Sequence, residues 1–146
     1  MSAEWFRLEA VLRFRRLQRD KARSAYAAAN AEVRKAQAAR DRARAEMQGE
    51  HANLRADADG LVSASRLLRH RAKLLAAEGE LESIMRLLLV AQEKAAARGR
   101  DLLEAHRRSQ AVQVLKERAR ALHTRSRARL QRREIEDAVV RGKRRV

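Results

Sequence analysis

Leu54-Arg55-Ala56-Asp57-Ala58-Asp59-Gly60-Leu61-Val62-Ser63 is the stretch at which a helical pattern, sustained on both sides, breaks off. Glycine gives the backbone freedom a turn needs, and the flanking aspartates suit turn and cap positions. Ser63 or Ser65 is placed to cap the helix that follows. Were Gly60 instead tolerated inside one continuous helix, that helix of about 135 residues would be about 200 Å long. It would need a partner along its whole length, whereas a chain that turns at 58–63 supplies its own.

Before the turn, apolar residues recur every seven positions. One set is Trp5, Leu12, Arg19, Tyr26, Val33, Arg40, Met47 and Leu54; its companion is Leu8, Arg15, Ala22, Ala29, Ala36, Ala43 and Glu50. Eleven of these fifteen are apolar, and seven-residue recurrence over this many repeats is a coiled-coil seam. Its alanines bring helices close together with little burial per layer. Arg15, Arg19 and Arg40 are expected to lay their stems along the seam with their heads in water.

After the turn, Leu67, Leu74, Leu81, Leu88, Ala95 and Leu102 keep strict sevens, beside Ala77, Ile84, Ala91, Ala105 and Val112. Beyond Val112 the apolar positions read Leu115, Ala119 and Leu122, three residues out of phase, which predicts a stammer. Gly79 interrupts the start of this arm, so residues 64–78 form either a short separate helix or a bend. Arm matching favours such a division, because a return helix starting straight after Gly60 would overhang helix one by roughly 25 residues at about 1.5 Å each.

The fold expected is therefore all-α: a long antiparallel two-helix coiled-coil hairpin, with a short extra helix near the tip as an option. Helix one covers about 4–57, the turn 58–63, the short helix 64–78, the return helix 80–141 and a basic tail 142–146.

Composition agrees. The chain has 146 residues, no proline and no cysteine, with 37% charged residues and only four aromatics (Trp5, Phe6, Phe14 and Tyr26). Proline would break a helix, and so few aromatics cannot fill a compact globular core. Net charge is +16, from 35 basic residues, 29 of them arginine. The last 40 residues alone carry +10, from 14 basic and four acidic side chains. Such a field favours an anionic partner without selecting nucleic acid, membrane surface or acidic protein. The opening Met-Ser-Ala-Glu-Trp-Phe-Arg has no signal-like apolar run. The most apolar stretch, Ile84 to Val90, is far below the roughly 20 residues a bilayer span needs. The expectation is a soluble protein.

No catalytic pattern is legible: there is no phosphate-binding glycine loop and no metal-protease motif. His51, His70, His106 and His123 are spread along the chain with no second histidine at helical spacing. They are read as solvated, with His106 grazing the seam. Neither cofactor nor metal nor small-molecule substrate is expected, and the chain is read as not an enzyme. The arginines Arg125, Arg127, Arg129, Arg132 and Arg133 form either a solvated face or a binding surface. Trp5 and Phe6 either plug the open end of the hairpin against Ile135 and Val139 or anchor a partner.

The opening run Phe6-Arg7-Leu8-Glu9-Ala10-Val11-Leu12-Arg13-Phe14-Arg15-Arg16-Leu17, the alanines from Ala25 to Ala29, and the closing Arg132-Arg133-Glu134-Ile135-Glu136-Asp137-Ala138 resemble the FliJ family of bacterial flagellar type III export. The resemblance implies an antiparallel two-helix rod that works as a stalk in the hexameric export ATPase, contacts the export-gate membrane protein and assists export chaperones. ATPase binding would fall on Phe6, Arg7, Leu8, Val11, Leu12, Arg133, Ile135 and Asp137. The gate contact would fall on Val33, Arg42, Leu67, Arg71 and Leu74, where this chain carries Arg42, Arg69, Arg71 and Ala72 in place of the aromatics often seen in the family. It also implies a cytoplasmic protein, peripherally associated with the inner membrane at the flagellar base.

Two other readings stand beside it. One is an arginine-rich coiled coil that binds nucleic acid, a partner not expected here because the arms lack interleaved aromatics. The other is a homodimeric structural coiled coil with Gly60 inside a longer helix.

Overall fold

The computed structural model describes residues 3–144. It contains two helices, α1 (Ala3–Ala58) and α2 (Ala64–Arg144), and no strand among the described residues. The chain is an all-α helical hairpin. Contacts divide it into two compact units, one of residues 22–102 around the turn and one that takes in the described residues 3–21 and 103–144.

The turn is short and is held by backbone bonds. Asp59 N–H donates to the Arg55 carbonyl at 3.1 Å, Gly60 N–H to Asp57 at 3.4 Å and Val62 N–H to Gly60 at 3.0 Å. The Ser63 carbonyl then accepts from Arg66 at 3.0 Å and Leu67 at 3.3 Å, which makes Ser63 the N-cap of α2. Its hydroxyl lies 3.1 Å from that of Ser65. Gly60 does not use left-handed backbone, since no glycine has positive φ among the described residues. The expected need for its conformational freedom is not met; the aspartates, Ser63 and their hydrogen bonds make this turn.

In the unit around the turn, α1 and α2 run antiparallel. Tyr26 lies against Gly99, Ala36 faces Ala91 across a shallow groove, and Glu50 meets His70. In the unit of the chain ends, Arg16 donates to Gln113 Oε1 at 2.8 Å and Lys116 meets Glu9 at 2.5 Å. Leu12 is 1% exposed, the deepest side chain among those described.

The seam follows the heptads. None of the fifteen α1 positions read from the sequence is exposed, including Arg15, Arg19, Arg40 and Glu50. Arg19 and Arg40 turn their heads to Asp20 and Asp41 at 3.0 and 2.9 Å. On α2 the leucine series is buried or half-buried from Leu67 to Leu102.

Three expectations about α2 are corrected. It passes through Gly79 without a break, so residues 64–78 are not a separate helix. The stammer after Val112 is also absent. Strict sevens continue from Leu102 to buried Ser109 and half-buried Lys116, with Ala119 seven residues after Val112, while Leu115 and Leu122 are exposed. The seam changes from apolar to polar there without changing register. Finally, α2 is 81 residues against 56 in α1, and every residue from Arg120 to Arg144 is exposed. The arms are not matched.

Candidate binding surface

Each of the two units has a polar cluster between its helices. Near the turn, His70 occupies a seam position with only 14% of its side chain exposed. Its Nε2 is 2.6 Å from Asp57 Oδ2 and its Nδ1 is 3.2 Å from Glu50 Oε2. Carboxylates only accept, so both contacts are hydrogen bonds together only when the ring carries both protons. Arg66 adds an ion pair, its Nε 3.0 Å from the same Asp57 oxygen. This corrects the reading of the histidines: His70, rather than His106, belongs to the seam, and His106 is exposed.

In the unit of the chain ends, the Lys116 ammonium lies 5.3 Å from the Trp5 ring centroid, a cation–π contact, while bonding Glu9. The hydrogen bond from Lys116 holds the Glu9 carboxyl below its usual range; desolvation opposes this, and the charges of Lys116, Arg13 and Arg16 add to it. Trp5 is thus committed to α2. The plug against Ile135 and Val139 is not formed: these are 64% and 53% exposed, beyond the last α2 residues that α1 covers.

The residues assigned to partner binding divide by exposure. Phe6 is 69% exposed, and Arg7, Val11, Arg133, Ile135 and Asp137 are exposed as well. Leu8 is half-buried on the seam and Leu12 is fully enclosed, so neither offers a free face. Of the second group, Arg42 and Arg71 are exposed, Val33 and Leu67 are half-buried, and Leu74 is buried. The structure adds Phe14 and Leu17, which are exposed on the same outer face of α1 as Phe6, with Val11 exposed further round the helix. The spacing of Phe6, Ala10, Phe14 and Leu17 in fours and threes could have revealed this face from the sequence. Arg15 stacks its guanidinium 5.9 Å from the Phe14 ring centroid.

In the unit around the turn, an open groove of about 360 Å³ is lined by Ala29, Ala36, Ala39, Leu87, Val90 and Ala91, together with Glu32, Lys35 and Lys94. Leu68, Leu75 and Leu89 are exposed on α2. Among the described residues no cluster of acidic and histidine side chains is arranged to hold a metal, and no helix is long and apolar enough to cross a membrane.

These features define a helical hairpin with a polar-latched seam, an open aromatic face on α1 and an uncovered basic stretch of α2. No family model matches the chain, and neither a curated protein nor a solved structure is detectably similar to it.

Proposed function

We propose that this chain is a non-enzymatic coiled-coil component of the flagellar type III protein export apparatus, binding the hexameric export ATPase in the manner of a stalk. The observation that carries the reading is the unit of the chain ends. It combines exposed Phe6, Val11 and Phe14 with an α2 segment free of α1, on the two sequence stretches that resemble the FliJ family. Aromatic side chains exposed on a firm helix are suited to anchoring a partner. Contact with the export gate through Arg42 and Arg71, assistance to export chaperones, and a cytoplasmic location at the inner membrane of the flagellar base belong to the same proposal.

The test is co-purification with the export ATPase at moderate salt, comparing wild type with Phe6→Ala/Val11→Ala. Both side chains are exposed, so the double variant keeps the hairpin. Retention of wild type and loss of the variant is the expected result. Failure of the wild-type chain to bind the ATPase refutes the proposal.

A further inference from the structure

The last part of α2 has no companion helix. Trp5 already faces Lys116, and from Arg120 onward every described side chain is exposed. The hairpin's own seam, extended past Ala119, meets His123, Ser126, Leu130, Arg133 and Asp137, a polar series that would not hold α1 in any case.

Charge in this segment is uncompensated. From Arg118 to Arg133 there are seven arginines and no acidic residue. Among the described residues none of the seven makes a salt bridge, whereas Arg19, Arg40, Arg66, Arg86, Arg98, Arg108 and Lys116 each do.

The arginines leave one face clear. Ala121, Ala128, Ile135 and Gly142 stand at sevens, with Thr124, Gln131 and Ala138 three residues after the first three, and no charge among them. Val139 widens this face beside Ile135. On a helix these positions form a single line about 33 Å long. Arg125 and Arg132 border it on one side, and Arg120, Arg127 and Arg141 on the other, with Glu134 the one acidic border position. An uncharged heptad line between charged borders is the pattern of a coiled-coil seam, rotated away from the seam that α1 uses.

The chemistry of the occupant follows. A second copy would set these bordering arginines against their own kind, and like charges across an interface cost several kcal/mol. A lipid surface calls for large apolar side chains on the clear face, and here Ile135 and Val139 stand among Ala, Thr, Gln and Gly. A nucleic-acid backbone would account for the arginines but has no use for an uncharged line. We infer that residues 120–142 of α2 dock an α-helix of another protein, one with an apolar seam bordered by Asp and Glu. Ile135 is shared with the proposed ATPase contact, but the test below uses no ATPase, so failure of the inference and failure of that reading are distinguishable.

Two synthetic heptad peptides of about 28 residues, with the same Leu/Ala seam and either Glu or Lys at every border position, serve as probes. Binding to the full chain is measured by fluorescence anisotropy at about 0.15 M salt. The Glu peptide is expected to bind at least about tenfold more tightly than the Lys peptide. Arg125→Glu/Arg132→Glu leaves three basic and three acidic border positions and abolishes the preference, and Ile135→Asp weakens the Glu peptide with the helix signal in circular dichroism retained. Equal binding of the two peptides overturns the inference. So does Glu-peptide binding that ignores Ile135→Asp while duplex DNA competes for it, which would make the segment a general polyanion site.

Discussion

Replacing each of three helical glycines by alanine separates helix propensity from packing, because the three differ only in what surrounds them. A β-carbon at Gly49 or Gly79 would meet nothing within 4 Å, whereas at Gly99 it would stand 3.2 Å from Tyr26 Cε2, 3.7 Å from Cδ2 and 3.8 Å from Cζ. Alanine is favoured over glycine inside a helix by about 1 kcal/mol. Gly49→Ala and Gly79→Ala should therefore each stabilise by about that amount, or raise the melting temperature by about 2–4 °C for a chain of this size. At Gly99 the same gain meets a ring that must give by a few tenths of an ångström. Overpacking costs about 1–3 kcal/mol, so Gly99→Ala should leave the melting temperature unchanged or lower it. In a Tyr26→Ala background the obstruction is gone, and Gly99→Ala should recover the full 1 kcal/mol or so of propensity. Thermal unfolding followed by circular dichroism at 222 nm (the far-UV helix band) and closed as a double-mutant cycle reads the coupling directly. If Gly99→Ala stabilises as much as Gly79→Ala with Tyr26 present, the ring does not press on α2 there and the reasoning fails.

Leu12→Ala, at the most enclosed position, should destabilise by about 2–3 kcal/mol, the lower part of the usual range because an open two-helix seam can close around the loss. Val11→Ala, next to it and exposed, should change the urea midpoint little. His70→Ala leaves Glu50 and Asp57 facing one another without the ring between them, and should cost about 1–3 kcal/mol at neutral pH. Gly60→Ala should be nearly silent in thermal melts, since its new methyl would meet Val62 Cγ2 at an ordinary 3.8 Å and φ is not positive. The Glu9 carboxyl is held below the usual glutamate range by its hydrogen bond from Lys116. Its folded value is thus lower than its unfolded one, so its contribution is complete above the unfolded value and fades as pH falls through the folded value. Lys116→Gln should flatten the acid limb of stability between those two values, and an unchanged limb would refute the assignment.

Much of the fold could be read from heptads because a seam must face one partner whatever residues occupy it. Arg15, Arg19 and Arg40 fell correctly on the seam through their spacing alone. Hydrophobicity failed where the seam turned polar. Ser109 and Lys116 keep the register, yet they look like interruptions, and Leu115 and Leu122 offer a false continuation. Gly79 misled for a related reason: it has nothing beside it to avoid, and a long helix absorbs one unfavourable residue. Arm matching had no physical force, since nothing requires two antiparallel helices to end together. The His70 cluster was illegible because its acidic partners lie 13 and 20 residues away in sequence and meet only across the turn. Among the proposed binding residues, Phe6 and Val11 stand off the two heptad series and are exposed. The same periodicity set Leu12 and Leu74 inside the seam, which calling them binding residues overlooked.

The uncovered stretch of α2 lacks the tertiary support that most protein helices have. No buried contact sustains residues 120–144, so their helix rests on backbone propensity and nearest-neighbour interactions, with the hairpin serving as the already formed nucleus from which it grows. Such a segment frays from the end farther from the hairpin and regrows within microseconds or less. Warming should shorten it progressively while the paired residues still hold, giving a sloping helix signal ahead of the cooperative transition. A ligand that recognises it as a helix would then lose affinity with temperature well before the protein melts.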